Sequence, residues 1–230
     1  DAMTETARNA YLLSETSTVK MPYLVLGLVI LVVAIIFIFT KLPDIKDEQE
    51  TENRGFFHAL KHKHLLWAIA AQFFYVGAQV CILSFLILFA TKAAGISEKE
   101  ASWYSGAAGL AFMAGRFVGT FFMKFVKPHI LLGLYAIICV ALCAVSILAS
   151  GMITLYAMIG IAFFMSIMFP TIFALGIAGI GPDTKSGSSL IVMSIVGGAI
   201  LPPVLGWIGD ATHNLQYGYI VPLICFAFIA

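Results

Sequence analysis

Read for its apolar and polar positions, the chain resolves into seven apolar runs with polar punctuation between them. They cover residues 21–40, 65–90, 101–125, 130–150, 152–180 and 188–208, and a seventh starts near Tyr219 and continues to residue 230. Each of the first six has the roughly 20 residues that a helix needs to cross the hydrocarbon core of a bilayer. Apolar positions are continuous along them and do not alternate every second residue, so the pattern predicts membrane helices and not barrel strands. The run 65–90 has no charge at all. The seventh run is too short to span, and the chain begins with Asp1 and a polar stretch. Both ends are therefore expected to be cut from a longer chain.

The connections set the topology. A long charged stretch, 41–64, separates the first run from the second and holds Lys41, Lys46, Arg54, Lys61 and Lys63. The connection after 101–125 carries Lys124 and Lys127, and the one after 152–180 carries Lys185. Those three connections hold eight Lys and Arg residues against four on the other side, counting Arg8 and Lys20. The positive-inside rule then places 41–64 in the cytoplasm and the leading tail, 1–20, in the periplasm. One helix (21–40), a cytoplasmic linker and a bundle over 65–230 fit a six-plus-six transporter from its sixth helix onward.

Composition agrees: 61% of residues are hydrophobic and 11% charged, against about 45–50% and 25% in soluble domains. A net charge of +1 gives no support for nucleic-acid binding. Cys81, Cys139, Cys143 and Cys225 all lie in apolar runs and read as small hydrophobes. His58, His62 and His64 have a spacing that a metal can use, but on a solvated linker they read as polar surface, and no metal or cofactor is expected.

The polar residues inside the runs are expensive, and they carry the candidate chemistry. Gln72, Tyr75 and Gln79 are spaced i, i+3, i+7 and share one helix face. One reading is a wet cavity whose ligand offers hydroxyls, which a carboxamide can both donate to and accept from. The other is hydrogen bonding between helices. In the run 152–180, Pro170 removes a backbone donor and frees the Ser166 carbonyl; such a break survives only where protein or a wet cavity satisfies it. Phe169 beside it is a cavity wall or core. Arg116 is the one charge deep in a run and reads as a conformational latch toward the end that carries Lys124 and Lys127. Gly115 and Gly119 form a small-xxx-small step for close packing. Gly197 and Gly198, followed by Pro202 and Pro203, are a packing face or a hinge. The interiors of the runs between 65 and 208 contain no His, Asp or Glu, which argues against a membrane enzyme and leaves proton-coupling carboxylates to another part of the chain. A channel is disfavoured because no filter motif is present.

The stretches "QFFYVGAQ", "GRFVGT", "FMSIMFPTIFALGI" and "DTKSGSSLIVMSIVGG" resemble the C-terminal half of the fucose:proton symporter family of the major facilitator superfamily, and most of all its bacterial glucose/galactose transporters. The resemblance covers about 56–230. It implies an all-α integral membrane protein: the C-terminal six-helix bundle of a twelve-helix carrier, with the preceding sixth helix. The stretch from Gly119 to Lys127 resembles a degenerate copy of the superfamily's cytoplasmic loop motif, without its Asp and Arg. Where the family's fucose permease has Gln-Tyr before the proline, this chain has Met168 and Phe169, one hydroxyl fewer. The resemblance implies proton-coupled sugar transport by alternating access in a bacterial cytoplasmic membrane, with glucose or galactose the expected monosaccharide ahead of fucose. A non-transporting sugar sensor or scaffold of the same fold is the alternative. Gln79, Gln72, Tyr75, Phe169, Ser166 and Met168 would contact the sugar, and Arg116, Lys124, Lys127, Pro170, Gly197 and Gly198 would serve gating. In this family the coupling carboxylates lie in the N-terminal half.

Overall fold

The computed structural model describes the backbone of residues 5–40 and 56–230, and the side chains of residues 20–40 and 58–230. The chain divides into two units, Asp1–Gln49 and Glu50–Ala230. In the first, α1 (Glu5–Phe39) is helical from Glu5 and not from Met21 as expected. Its leading segment contains no Gly or Pro before Pro22, so nothing stops the helix from extending toward the N-terminus. Residues Lys20–Phe39 are long and apolar enough to cross a membrane.

In the second unit the boundaries also shift. Residues 41–55 of the predicted linker lie outside the described residues. The described end of that stretch is helical: Phe56–Lys61 is a 3-10 helix, and α2 (Lys63–Ala93) already includes Lys63 and His64. Then follow α3 (Glu98–Phe122), α4 (Pro128–Leu148), α5 (Met152–Met165), α6 (Met168–Ile177), α7 (Thr184–Met193), α8 (Gly197–Ala211), α9 (Leu215–Gly218) and α10 (Ile220–Ile229). The run 152–180 is thus two helices. So is the run 188–208, where a 3-10 turn, Ser194–Val196, falls just ahead of the glycine pair and Pro202 and Pro203 remain inside α8.

Local chemistry explains the helix ends. The Ser97 hydroxyl accepts the Glu100 N–H at 3.3 Å, and the Glu100 carboxylate accepts the Ser97 N–H at 3.1 Å, which closes a capping box on α3. These bonds from Ser97 hold the Glu100 carboxyl below its ordinary range. Pro128 opens α4 at its first turn. Gly151, at φ +68°, joins α4 to α5 with almost no loop. At the end of α8, His213 takes the left-handed conformation, φ 52°. The Asn214 N–H donates back to the Gly209 carbonyl at 3.1 Å, the bond of a Schellman motif.

Among the described residues, five stretches are long and apolar enough to span a membrane: Lys20–Phe39, Lys63–Ala93, Pro128–Leu148, Met152–Ile177 and Gly181–Ala211. Helix α3, 25 residues, has the length but carries Glu98, Lys99, Glu100 and Arg116. Helix α2 is the centre of the bundle and packs on α3, α5, α6, α8 and α10, while α4 packs on α5 and α10. The core between them holds Tyr75, Ile82, Phe89, Met158, Met165 and Phe226, all fully buried. Outward-facing Phe117, Leu148 and Trp207 stay exposed, as a lipid-facing surface requires. Lipid removes much of the hydrophobic drive for helices to associate, so close van der Waals contact has to hold them. Gly197 supplies it by seating α8 directly on the Phe73 carbonyl of α2, and a Cβ on Gly198 would lie 3.0–3.1 Å from Val80 and Val76.

Candidate functional site: a side-chain-held break between α5 and α6

The site is built around a gap in the backbone ladder. Proline has no N–H, so Pro170 leaves the carbonyl four residues earlier, that of Ser166, without its helical partner. The helix breaks there, and α5 gives way to α6 across Ser166 and Ile167. Side chains from two other helices occupy the freed backbone. Arg116 of α3 donates to the Ser166 carbonyl through Nη2 at 3.0 Å and Nε at 3.3 Å. The Tyr75 hydroxyl of α2 donates to the neighbouring Met165 carbonyl at 3.0 Å. Local hydroxyls take two more acceptors: Ser166 donates to the Phe163 carbonyl at 2.7 Å and Thr171 to the Ile167 carbonyl at 2.6 Å. An irregular backbone at membrane depth is tolerated on these terms.

Small residues let α3 reach the break. A Cβ on Gly115 would run into the Phe163 carbonyl, and one on Gly119 would come within 2.5 Å of Ile167. The two glycines therefore seat α3 on the end of α5, and Arg116, between them, meets the open carbonyl. Its guanidinium also lies 5.2 Å from the centre of the Phe112 ring.

The predicted site residues divide into two layers. Gln72, Tyr75, Ser166 and Met168 are fully buried within the bundle. Gln79 and Phe169 are only partly buried. The Phe169 ring meets the Tyr75 ring edge-on at 6.2 Å, and Gln79 makes no hydrogen bond among the described residues. Gln72 also lacks a partner, for both of its amide atoms. Lys124 stands 5.9 Å from the Phe121 ring, Lys127 precedes α4 as its N-cap residue, and Pro170 is exposed.

Sequence reasoning found the ends of these contacts but not their pairing. Nothing along the chain links Arg116 to residue 166, although a lone intramembrane arginine and a lone proline each call for a partner. A second pairing was missed altogether. Asp183, 4% exposed, receives His58 Nδ1 at 3.1 Å and His62 Nε2 at 3.0 Å on its Oδ2 atom, which ties Phe56–Lys61 to the α6–α7 connection. Among the described residues, no group of three or more His, Cys, Asp or Glu side chains is arranged to hold a metal ion.

Three cavities flank the bundle. One of about 530 Å³ opens between the C-terminal ends of α2 and α8 and is lined by Lys92, Asp210, His213 and Gln216 among others. An apolar one of about 350 Å³ lies beside Thr120, Ile167 and Pro170. The third, about 250 Å³, lies by Trp67 and Phe228. None of these three is lined by Gln72, Tyr75, Gln79 or Phe169.

Comparison with known proteins shows the family. The Major Facilitator Superfamily sequence family is matched by residues 10–201. The L-fucose-proton symporter of Escherichia coli (strain K12) is 39% identical over 236 residues, covering 100% of this chain and 54% of that protein. The putative glucose/galactose transporter of Helicobacter pylori (strain ATCC 700392 / 26695) is 39% identical, covering 94% of this chain and 54% of that protein. The glucose/galactose transporter of Brucella abortus biovar 1 (strain 9-941) is 35% identical, covering 97% and 55%. The crystal structure of the E. coli fucose:proton symporter superposes with a TM-score of 0.84 at 38% identity, covering 99% of this chain and 57% of that one. The chain thus spans about half the length of the curated relatives it matches. With its all-helical described fold and several membrane-length helices, the chain is a multi-pass membrane protein that belongs to the Major Facilitator Superfamily.

Proposed function

We propose that this chain is the second half of a proton-coupled sugar carrier of a bacterial cytoplasmic membrane, and that it works by alternating access. The observation that carries the reading is the broken helix. Its carbonyls are held by Tyr75 and Arg116, and its partly buried Phe169 meets the Tyr75 ring, one turn along α2 from the unpartnered Gln79. Relatives named as L-fucose-proton symporter and glucose/galactose transporter support sugar as the substrate class. The carboxamide of Gln79 grips sugar hydroxyls as donor and acceptor, and Phe169 stacks on the apolar face of the ring. Gln72, Tyr75, Ser166 and Met168 form the layer behind and fix where those two groups stand. With Phe169 in place of a tyrosine, glucose or galactose fits the reading better than fucose. Arg116 and Pro170 make the break a movable joint, while Lys124 and Lys127 mark the cytoplasmic end. Gly197 and Gly198 let α8 slide on α2. The linker 41–64 is cytoplasmic, pinned at its end by His58 and His62 on Asp183. Proton-coupling carboxylates belong to the first half of such a carrier.

The test is uptake of labelled glucose, galactose and fucose into proteoliposomes that contain the full-length chain, under an imposed proton gradient, with and without Gln79→Ala. Gradient-driven uptake that the substitution abolishes at equal protein level is the expected result. Normal uptake by Gln79→Ala removes Gln79 from the site. An intact carrier that binds a sugar without moving it points to a sensor.

A further inference from the structure

Gln72 is fully buried, and neither its Oε1 nor its Nε2 atom has a hydrogen-bond partner. A buried carboxamide left unpaired destabilises the conformation that contains it, whereas a methionine of similar length would not. The position of Gln72 on α2 shows what it faces. One turn earlier, Ala68 lies against Gly176 of α6, where an added Cβ would come within 2.6 Å of the alanine methyl. Three residues later, Tyr75 reaches the Met165 carbonyl. Helical spacing turns Gln72 toward the stretch between those two contacts, the first turns of α6. Pro170 sits in that stretch, and the Ser166 carbonyl opens toward it because the proline offers no N–H.

We infer that Gln72 is the alternate donor to the Ser166 carbonyl. In the conformation described here Arg116 holds that oxygen, from α3. When α3 shifts relative to α2 during transport, the guanidinium withdraws and the Gln72 amide takes its place. The carbonyl needs a donor in both states, since an unsatisfied backbone group inside the membrane is costly. An amide orphaned in one state and bonded in the other also biases the balance between them toward the second. Gln72 is thus a positioning residue that acts through the helix break and does not touch sugar. The inference rests on the alternating-access reading proposed above.

A double-mutant cycle on the full-length carrier tests it, with Gln72→Met, Arg116→Met and the pair. Gln72→Met is expected to raise the melting temperature and to lower sugar turnover about tenfold, the scale of one unmade buried hydrogen bond, with KM unchanged; Gln72→Asn restores part of the turnover. Arg116→Met alone is expected to melt close to the parent, and the pair to melt well below the sum of the single effects. Additive melting shifts overturn the inference, as does a raised KM at normal turnover, which would put Gln72 on the sugar. A Gln72→Met carrier that melts lower at normal turnover also overturns it and makes the amide purely structural. If Arg116→Met does not fold, the melting temperature and turnover of Gln72→Met still decide. If the carrier moves no sugar at all, the transport reading fails, and the melting cycle alone judges the hand-over.

Discussion

Gly115→Ala puts the packing of the helix break to the test. The new methyl would run into the Phe163 carbonyl and come within 2.7 Å of Ser166 Oγ. Neither atom can yield cheaply: the first is backbone, and the second is bonded to that same carbonyl at 2.7 Å. Helix α3 therefore has to move. Forcing one extra methyl into a packed contact costs about 1–3 kcal/mol. The displacement also pulls Arg116 off the Ser166 carbonyl, but the inferred hand-over of that oxygen to Gln72 offsets this loss. Alanine returns about 0.5–1 kcal/mol of helix propensity. The net loss is about 0.5–2 kcal/mol, read from denaturant unfolding of the full-length carrier in mixed micelles. Gly106→Ala is the control on the same helix: nothing lies within 4 Å of its added Cβ, so only the propensity gain remains. The two substitutions should move stability in opposite directions. A Gly115→Ala carrier as stable as the parent, or shifted like Gly106→Ala, would refute the claim that this glycine seats Arg116 on the break.

Three further outcomes follow from the same contacts. Pro170→Ala restores the missing N–H and lets α5 run into α6; it should stabilise the bundle by up to about 3 kcal/mol while slowing uptake, and faster uptake would show that the break is not a joint. Ser97→Ala should cost about 1 kcal/mol at the start of α3. Because the Ser97 N–H, and then its hydroxyl, hold Glu100 below its ordinary value, its share of that cap is present above about pH 4.3 and is lost as pH falls through the lowered value; amide exchange at the first turn of α3 should show this acid-side loss in the parent and a smaller one in Ser97→Ala, which keeps the backbone bond and loses the hydroxyl. His213→Gly relieves a left-handed non-glycine residue and should raise stability by about 1 kcal/mol, so a lowered melting temperature would mean that the imidazole has a partner.

The helices were legible because a membrane demands long continuous apolar runs, and those survive any tertiary context. Helix ends were less so. The start of α1 at Glu5 lies in polar sequence, where the apolar pattern is silent, and the apolar residues of the 3-10 helix Phe56–Lys61 form too short a run to register. Pro170 foretold a break, and one occurs three residues before it, at Ile167. The glycine pair foretold an interruption of the sixth apolar run less well: the 3-10 turn falls on Ser194–Val196, because Gly197 and Gly198 are committed to the face of α2. Pairings such as Arg116 with Ser166, or His58 with Asp183, join residues far apart in the chain and leave no trace in local spacing.

The burial of the α2 stripe changes what its residues are good for. A periodicity of i, i+3, i+7 puts Gln72, Tyr75 and Gln79 on one face of a helix, but it cannot say which part of that face another helix covers. Helices α5 and α6 cover Gln72 and Tyr75 and leave Gln79 partly open. Of this stripe, Tyr75 is spent on the backbone of a neighbour, Gln72 is buried without a partner, and Gln79 alone stays partly open. This division follows from the break itself. A helix interrupted at membrane depth needs donors from outside its own ladder, and the polar groups closest to the gap are bound to supply them before any sugar can. On the proposed sugar-carrier reading, few groups are then left in this half to set sugar preference. Exchanging Phe169 for tyrosine adds back one hydroxyl at the ring that meets Tyr75, so it should shift the preference of the intact carrier toward fucose while leaving its melting temperature unchanged. An unaltered ranking of the three sugars would place selectivity elsewhere in the carrier.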